Sequence, residues 1–142
     1  MARYDTSNTN KSKRSNRKFF SDLDLDFSRN IVTNDIDKIE DVNAVKRSIR
    51  NLIQTNFYER PFHPEIGSGV RQMLFEPQTP LTATFLKRKI EEVIVNYEPR
   101  ATIEQITIDD EPDKNRLKAN IYFYVVNNQV PVLVSTYLER LR

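Results

Sequence analysis

Two stretches of this chain repeat apolar residues at helical spacing, and a third alternates them. Val42, Val45, Ile49, Leu52 and Ile53 recur every three or four residues, which predicts a helix from a cap at Asp41 or Asn43 to about Asn56. Lys46, Arg47 and Arg50 fall on its wet side. A second stripe, Ala83, Leu86, Ile90, Val93 and Tyr97, predicts a longer helix capped by Thr79. Pro80 sits at its first position, where a missing N–H costs nothing, and Pro99 ends it by pushing the preceding residue out of helical geometry. A short helical turn over residues 70–75 interrupts the loop between the two.

Beyond Arg100 the period becomes two. Ile106 and Ile108 alternate with Thr107 and Asp109. Further on, Leu117, Ala119, Ile121, Phe123 and Val125 oppose Lys118, Asn120, Tyr122 and Tyr124. Turn residues at 111–115 and 127–128 separate these strands from a last one begun by Val130, Val132 and Val134. Pro131 cannot donate to a ladder, so this strand belongs at an edge. The pattern adds up to an α+β fold: two main helices packed on a small, mainly antiparallel three-stranded sheet with an open edge. Ahead of it, Phe27, Ile31, Val32, Ile36 and Ile39 fit a short extended hairpin or an irregular lead-in. No internal repeat is visible.

Composition narrows the class. A chain of 142 residues suits one domain, placed at residues 19–142. With no cysteine, disulfides and thiolate metal sites are excluded, and a reducing compartment fits. The longest apolar run, residues 121–126, is far too short to span a bilayer, and no apolar segment follows the basic N-terminus as a secretory signal would require. The net charge of +2 conceals an asymmetry: six Lys or Arg against Asp5 give residues 1–20 a charge of +5, leaving −3 for the remainder. Residues 1–18 read as a basic arm that orders only on a partner; no aromatic platform for nucleic acid accompanies the charge.

Candidate chemistry is sparse. His63, the one histidine, has only Glu59 or Glu65 nearby as a companion ligand, so no metal site is expected. Paired glutamates could serve glycoside cleavage, but a general acid needs an apolar pocket, whereas Glu91 and Glu92 fall on a wet helix face and Glu98 has Arg100 beside it. Gly67-Ser68-Gly69 lacks the Lys of a phosphate loop. No catalytic residue and no cofactor is expected. The tripeptide Glu98-Pro99-Arg100 stands out, because it sets two opposite charges around a rigid residue where a helix gives way to a strand. It reads either as an intramolecular ion pair or as a guanidinium offered bidentately to another protein.

The ordered series Arg60-Pro61-Phe62, Pro64-Glu65, Gly67, Leu74-Phe75-Glu76, Pro80-Leu81-Thr82-Ala83 and Asn96-Tyr97-Glu98-Pro99-Arg100 resembles the baseplate wedge protein that initiates the sheath of contractile-tailed phages. The small baseplate subunit of type VI secretion is related to that family. The resemblance covers about residues 40–137 and leaves the basic arm outside. It implies a fold like the linking domain of the sheath subunit, and a structural role in the virion, assembled in the host cytoplasm. The expected partners are the tail sheath protein, other baseplate wedge proteins and the tail tube, within a large symmetric hetero-oligomer; neither nucleic acid nor membrane is required. Glu98, Pro99 and Arg100 match the family's wedge-docking motif. The strand carrying Val130, Val132 and Val134 would accept a neighbour's strand by β-augmentation. A type VI or bacteriocin apparatus is the alternative setting, and a tail-associated muramidase the alternative activity.

Overall fold

The computed structural model describes residues 19–75, 79–126 and 128–139. The basic arm, residues 1–18, lies outside them, as does Glu76. The lead-in folds as a small hairpin in which β1 (Ser21–Leu23) pairs antiparallel with β2 (Lys38–Glu40). Three helices follow: α1 (Asp41–Gln54), the single turn α2 (Val70–Met73) and α3 (Pro80–Tyr97). The chain ends in an antiparallel meander, β3 (Ala101–Glu111), β4 (Arg116–Val125) and β5 (Val132–Glu139), in the order β3-β4-β5.

The helices cover one face of the meander, α3 chiefly over β3 and α1 against β5. Val45, Ile49 and Ile53 of α1 and Leu86, Ile90 and Ile94 of α3 meet Ile121, Phe123 and Val134 in one continuous core. Ile94 belongs to that core although the stripe read from sequence omits it, while Ala83 and Tyr97 sit half-buried at its margin. A helix packed between a sheet and a second helix buries a wider face than one stripe.

Strand β3 holds a bulge. Ile103 pairs with Phe123 and Ile106 with Ile121, so Glu104 is the extra residue. The shift keeps both isoleucines on the helix side, which uninterrupted alternation would forbid. On the outer face, the Asn120 amide donates to Asp109 (2.7 Å) and the Ser135 hydroxyl to Asn120 (2.7 Å), tying three strands by a polar ladder.

Several boundaries differ from the sequence expectation. Neither Asp41 nor Asn43 caps α1; Glu40 holds that position, its side chain making no capping bond to the helix, and α1 stops at Gln54. Asp41 instead turns its carboxylate to the N–H groups of Phe19 and Phe20, at 2.8 and 3.2 Å, and so anchors the lead-in. β5 starts at Val132: Val130 lies exposed ahead of it, its N–H bonded to the Asn128 side chain at 3.0 Å, because Pro131 delays pairing.

Gly67-Ser68-Gly69 closes the loop beneath α1. The buried Ser68 hydroxyl donates to the Ile53 carbonyl at 2.7 Å and accepts from the Val70 N–H at 3.2 Å. A side chain at Gly67 would start 2.5 Å from the Phe57 nitrogen, so only glycine lets these segments touch.

Candidate functional site

Helix α3 starts with Thr79 and Thr82 bonding reciprocally in a capping box, and its last turn delivers Glu98 to the C-cap. The Glu98 N–H still bonds the Ile94 carbonyl (2.8 Å), and the Glu98 carbonyl receives the Ala101 N–H (3.1 Å), so the chain turns through Pro99 straight into β3. This corner turns Glu98 inward until only 2% of it is exposed. Arg100 then reaches back over it: Nε lies 2.6 Å from Oε1 and Nη2 lies 2.8 Å from Oε2, a bidentate pair.

Of the two readings the sequence left open, the intramolecular pair is therefore present. Burial alone would raise the Glu98 carboxyl above its ordinary range. Hydrogen bonds from Arg100 and from the Ser48 hydroxyl, with the guanidinium charge, outweigh that and hold it below. The bond to Glu98, with the charges of Glu98 and Asp22, raises Arg100 further above its already high value. Two more groups complete the Arg100 environment. Its Nη1 lies 3.2 Å from Asp22 of β1, and its guanidinium sits 5.5 Å from the Phe20 ring centroid. The corner thus braces the lead-in hairpin, and a quarter of the Arg100 side chain remains exposed. The part played by Asp22 and Phe20 was not legible, since nearly eighty residues separate them from Arg100.

Arg47, expected to face water, provides a second brace. It pairs with Asp24 at 2.8 Å and also with Asp26. Asp24 is itself held below its ordinary carboxyl range, first by the Ser28 hydroxyl and then by the Asp26 N–H. Sequence spacing could not foresee this, because Asp24 and Arg47 meet only once the hairpin has folded against α1.

The sheet edge divides the remaining candidates. Val132 and Val134 send their side chains into the core, and Val130 precedes the strand. What β5 presents outward is its backbone, along with Leu133 and Tyr137, each near half-exposed. Arg116 lies over the Tyr137 ring, 4.1 Å from its centroid. The other edge, β3, carries the bulge and ends in Asp109, Asp110 and Glu111, both of which discourage pairing. Among the described residues β5 pairs only with β4, and it is regular throughout its eight residues.

His63 is exposed and contacts the Glu65 carboxylate at 3.1 Å. Glu65 is anchored by its own backbone and by His63, which lower its carboxyl. Glu59 is lowered by the Asn56 N–H and amide, and Glu111 by Arg116. Among the described residues, no cluster of three or more metal-ligating side chains forms.

Two helices on a three-stranded meander, with a braced helix-to-strand corner and a regular C-terminal edge strand, define a class of small α+β domain. A family profile for baseplate wedge protein gp25 matches residues 40–130. Baseplate wedge protein gp25 of Enterobacteria phage T4 is 34% identical over 113 residues, spanning 78% of this chain and 83% of that one. A chain in the cryo-EM structure of the anti-feeding prophage baseplate superposes with a TM-score of 0.68 at 27% identity, covering 78% of this chain and 88% of its own. The same fold, at 21% identity and a TM-score of 0.66, occurs in a candidate tail lysozyme from Geobacter sulfurreducens, over 70% of this chain and 90% of that one. This chain belongs to the baseplate wedge protein gp25 family. It is a structural baseplate component of a contractile-tail system.

Proposed function

We propose that this protein initiates sheath polymerisation on the baseplate by offering the outer backbone of β5 to a strand from a sheath subunit. The observation that carries the reading is the contrast between the two sheet edges: β3 is bulged and acidic, whereas β5 is regular and unpaired on its outer side among the described residues. A regular open edge invites aggregation unless a partner covers it, and strand addition is the simplest cover. Here Val132 and Val134 hold the edge flat from below, and main-chain groups make the contact.

The corner at Glu98, Pro99 and Arg100 docks the subunit on other wedge proteins, with the exposed quarter of Arg100 at that surface. The tail tube is the third neighbour, and assembly takes place in the host cytoplasm before the virion is complete. The role is passive rather than catalytic. Every described carboxylate with a resolved shift lies below its ordinary range, opposite to what a glycosidase acid requires. Purified protein should show no turnover on peptidoglycan; activity lost in Glu65→Gln would reverse this assignment.

A charge placed on the edge tests the initiation role. Leu133→Lys alters a near half-exposed outer position and should leave the domain folded. Tails carrying it should hold the subunit at normal occupancy but present bare tubes in electron micrographs. Fully sheathed tails would contradict the reading.

A further inference from the structure

The lead-in loop between β1 and β2 exposes several large apolar residues. Leu25 and Phe27 are more than half exposed, and Ile31 and Val32 are 92% and 90% exposed. The loop is nevertheless built. Its backbone closes through Asn30 N–H to the Asp35 carbonyl (2.8 Å) and Asp37 N–H to the Ser28 carbonyl (2.8 Å), with a bridge between Arg29 and Ile36. The Asn30 carboxamide oxygen accepts the N–H groups of Val32 and Thr33 at 2.9 and 3.2 Å, fixing the tip. Arg47 grips Asp24 and Asp26, and Arg100 grips Asp22. Holding a rigid segment in place while its largest apolar side chains face water makes sense only if another surface covers them.

We infer that this loop is a docking knob, with Ile31 and Val32 at its tip, for an apolar cleft rimmed by Lys or Arg on another baseplate protein. Charge complementarity selects that partner: residues 21–40 hold six acids against Arg29 and Lys38, a net −4. Counting Arg47 and Arg100 as braces still leaves the segment acidic. The knob lies ahead of residues 40–130, where the family profile matches. The inference rests on the wedge-docking reading and deepens it. Besides its place in the docking corner, Arg100 is a positioning residue whose pair with Asp22 seats the knob.

The test uses baseplates purified from cells lacking this subunit, to which the full-length protein is added back and its retention measured by sedimentation. Ile31→Ser with Val32→Ser should lower affinity roughly tenfold or more, with an unchanged melting temperature. Wild-type retention should weaken as salt rises. In the same assay Leu133→Lys should bind normally, so failure of the edge reading stays separate from failure of the knob. Wild-type affinity in the Ile31/Val32 variant would overturn the proposal. So would a wild-type dimer that the variant converts to monomer, since the tip would then serve self-association.

Discussion

Glu98 is where residue-level physics is most exposed. A carboxylate almost without solvent contact persists as an anion only because Arg100 and Ser48 satisfy it. Its folded pKa lies below the ordinary glutamate value, so its contribution to stability is complete above that ordinary value and is lost as pH falls through the folded one. Glu98→Ala should destabilise the domain by about 2–3 kcal/mol, leaving Arg100 without its bidentate partner. Glu98→Gln keeps the shape and should cost less. Chemical denaturation between pH 3 and 6 (roughly the carboxylate range) checks the sign: wild type should lose stability in acid more steeply than the Gln variant. The tripeptide was legible as a charged corner, because Pro99 and the two charges are adjacent in sequence. Its closure on Asp22 was not, because that contact exists only across the finished fold.

At the scale of elements, periodicity carried α1, α3 and the meander, since each buries one face against the same core. It failed where a local device overrides the period. The bulge at Glu104 resets β3, the left-handed Asp41 (φ 48°) begins α1 without a side-chain cap, and Pro131 postpones β5 to Val132. The 57–69 loop belongs to this scale too. Its glycines were legible as turn residues, but their reason is a close backbone approach. Gly67→Ala would place a Cβ 2.5 Å from the Phe57 nitrogen, a contact no rotamer change relieves. It should cost about 2–4 kcal/mol, read as a lowered melting temperature, and should release the Ser68 bonds to α1.

The whole molecule has three working surfaces: the β5 edge, the corner at residues 98–100, and the loop of residues 21–40 braced against that corner through Asp22. Separating them has a consequence for assembly. Changes at Ile31 and Val32 should empty baseplates of the subunit, whereas Leu133→Lys should leave the subunit in place and remove the sheath. Quantitative mass spectrometry of purified tails, beside micrographs of the same sample, distinguishes the two outcomes. The family resemblance was legible from the ordered motifs between Arg60 and Arg100. The hairpin at residues 21–40 was legible as a lead-in, but its exposed tip was not, because an exposed apolar tip breaks the rule that reads apolar residues as core.

A reconstruction of the intact tail at side-chain resolution would test the sheath-templating role most directly. The account predicts an extended segment of a sheath subunit running about 4.8 Å from β5 along residues 132–139, as a fourth strand of the sheet. An assembled tail in which this subunit is present, but the outer backbone of β5 faces water or its own chain, would contradict it.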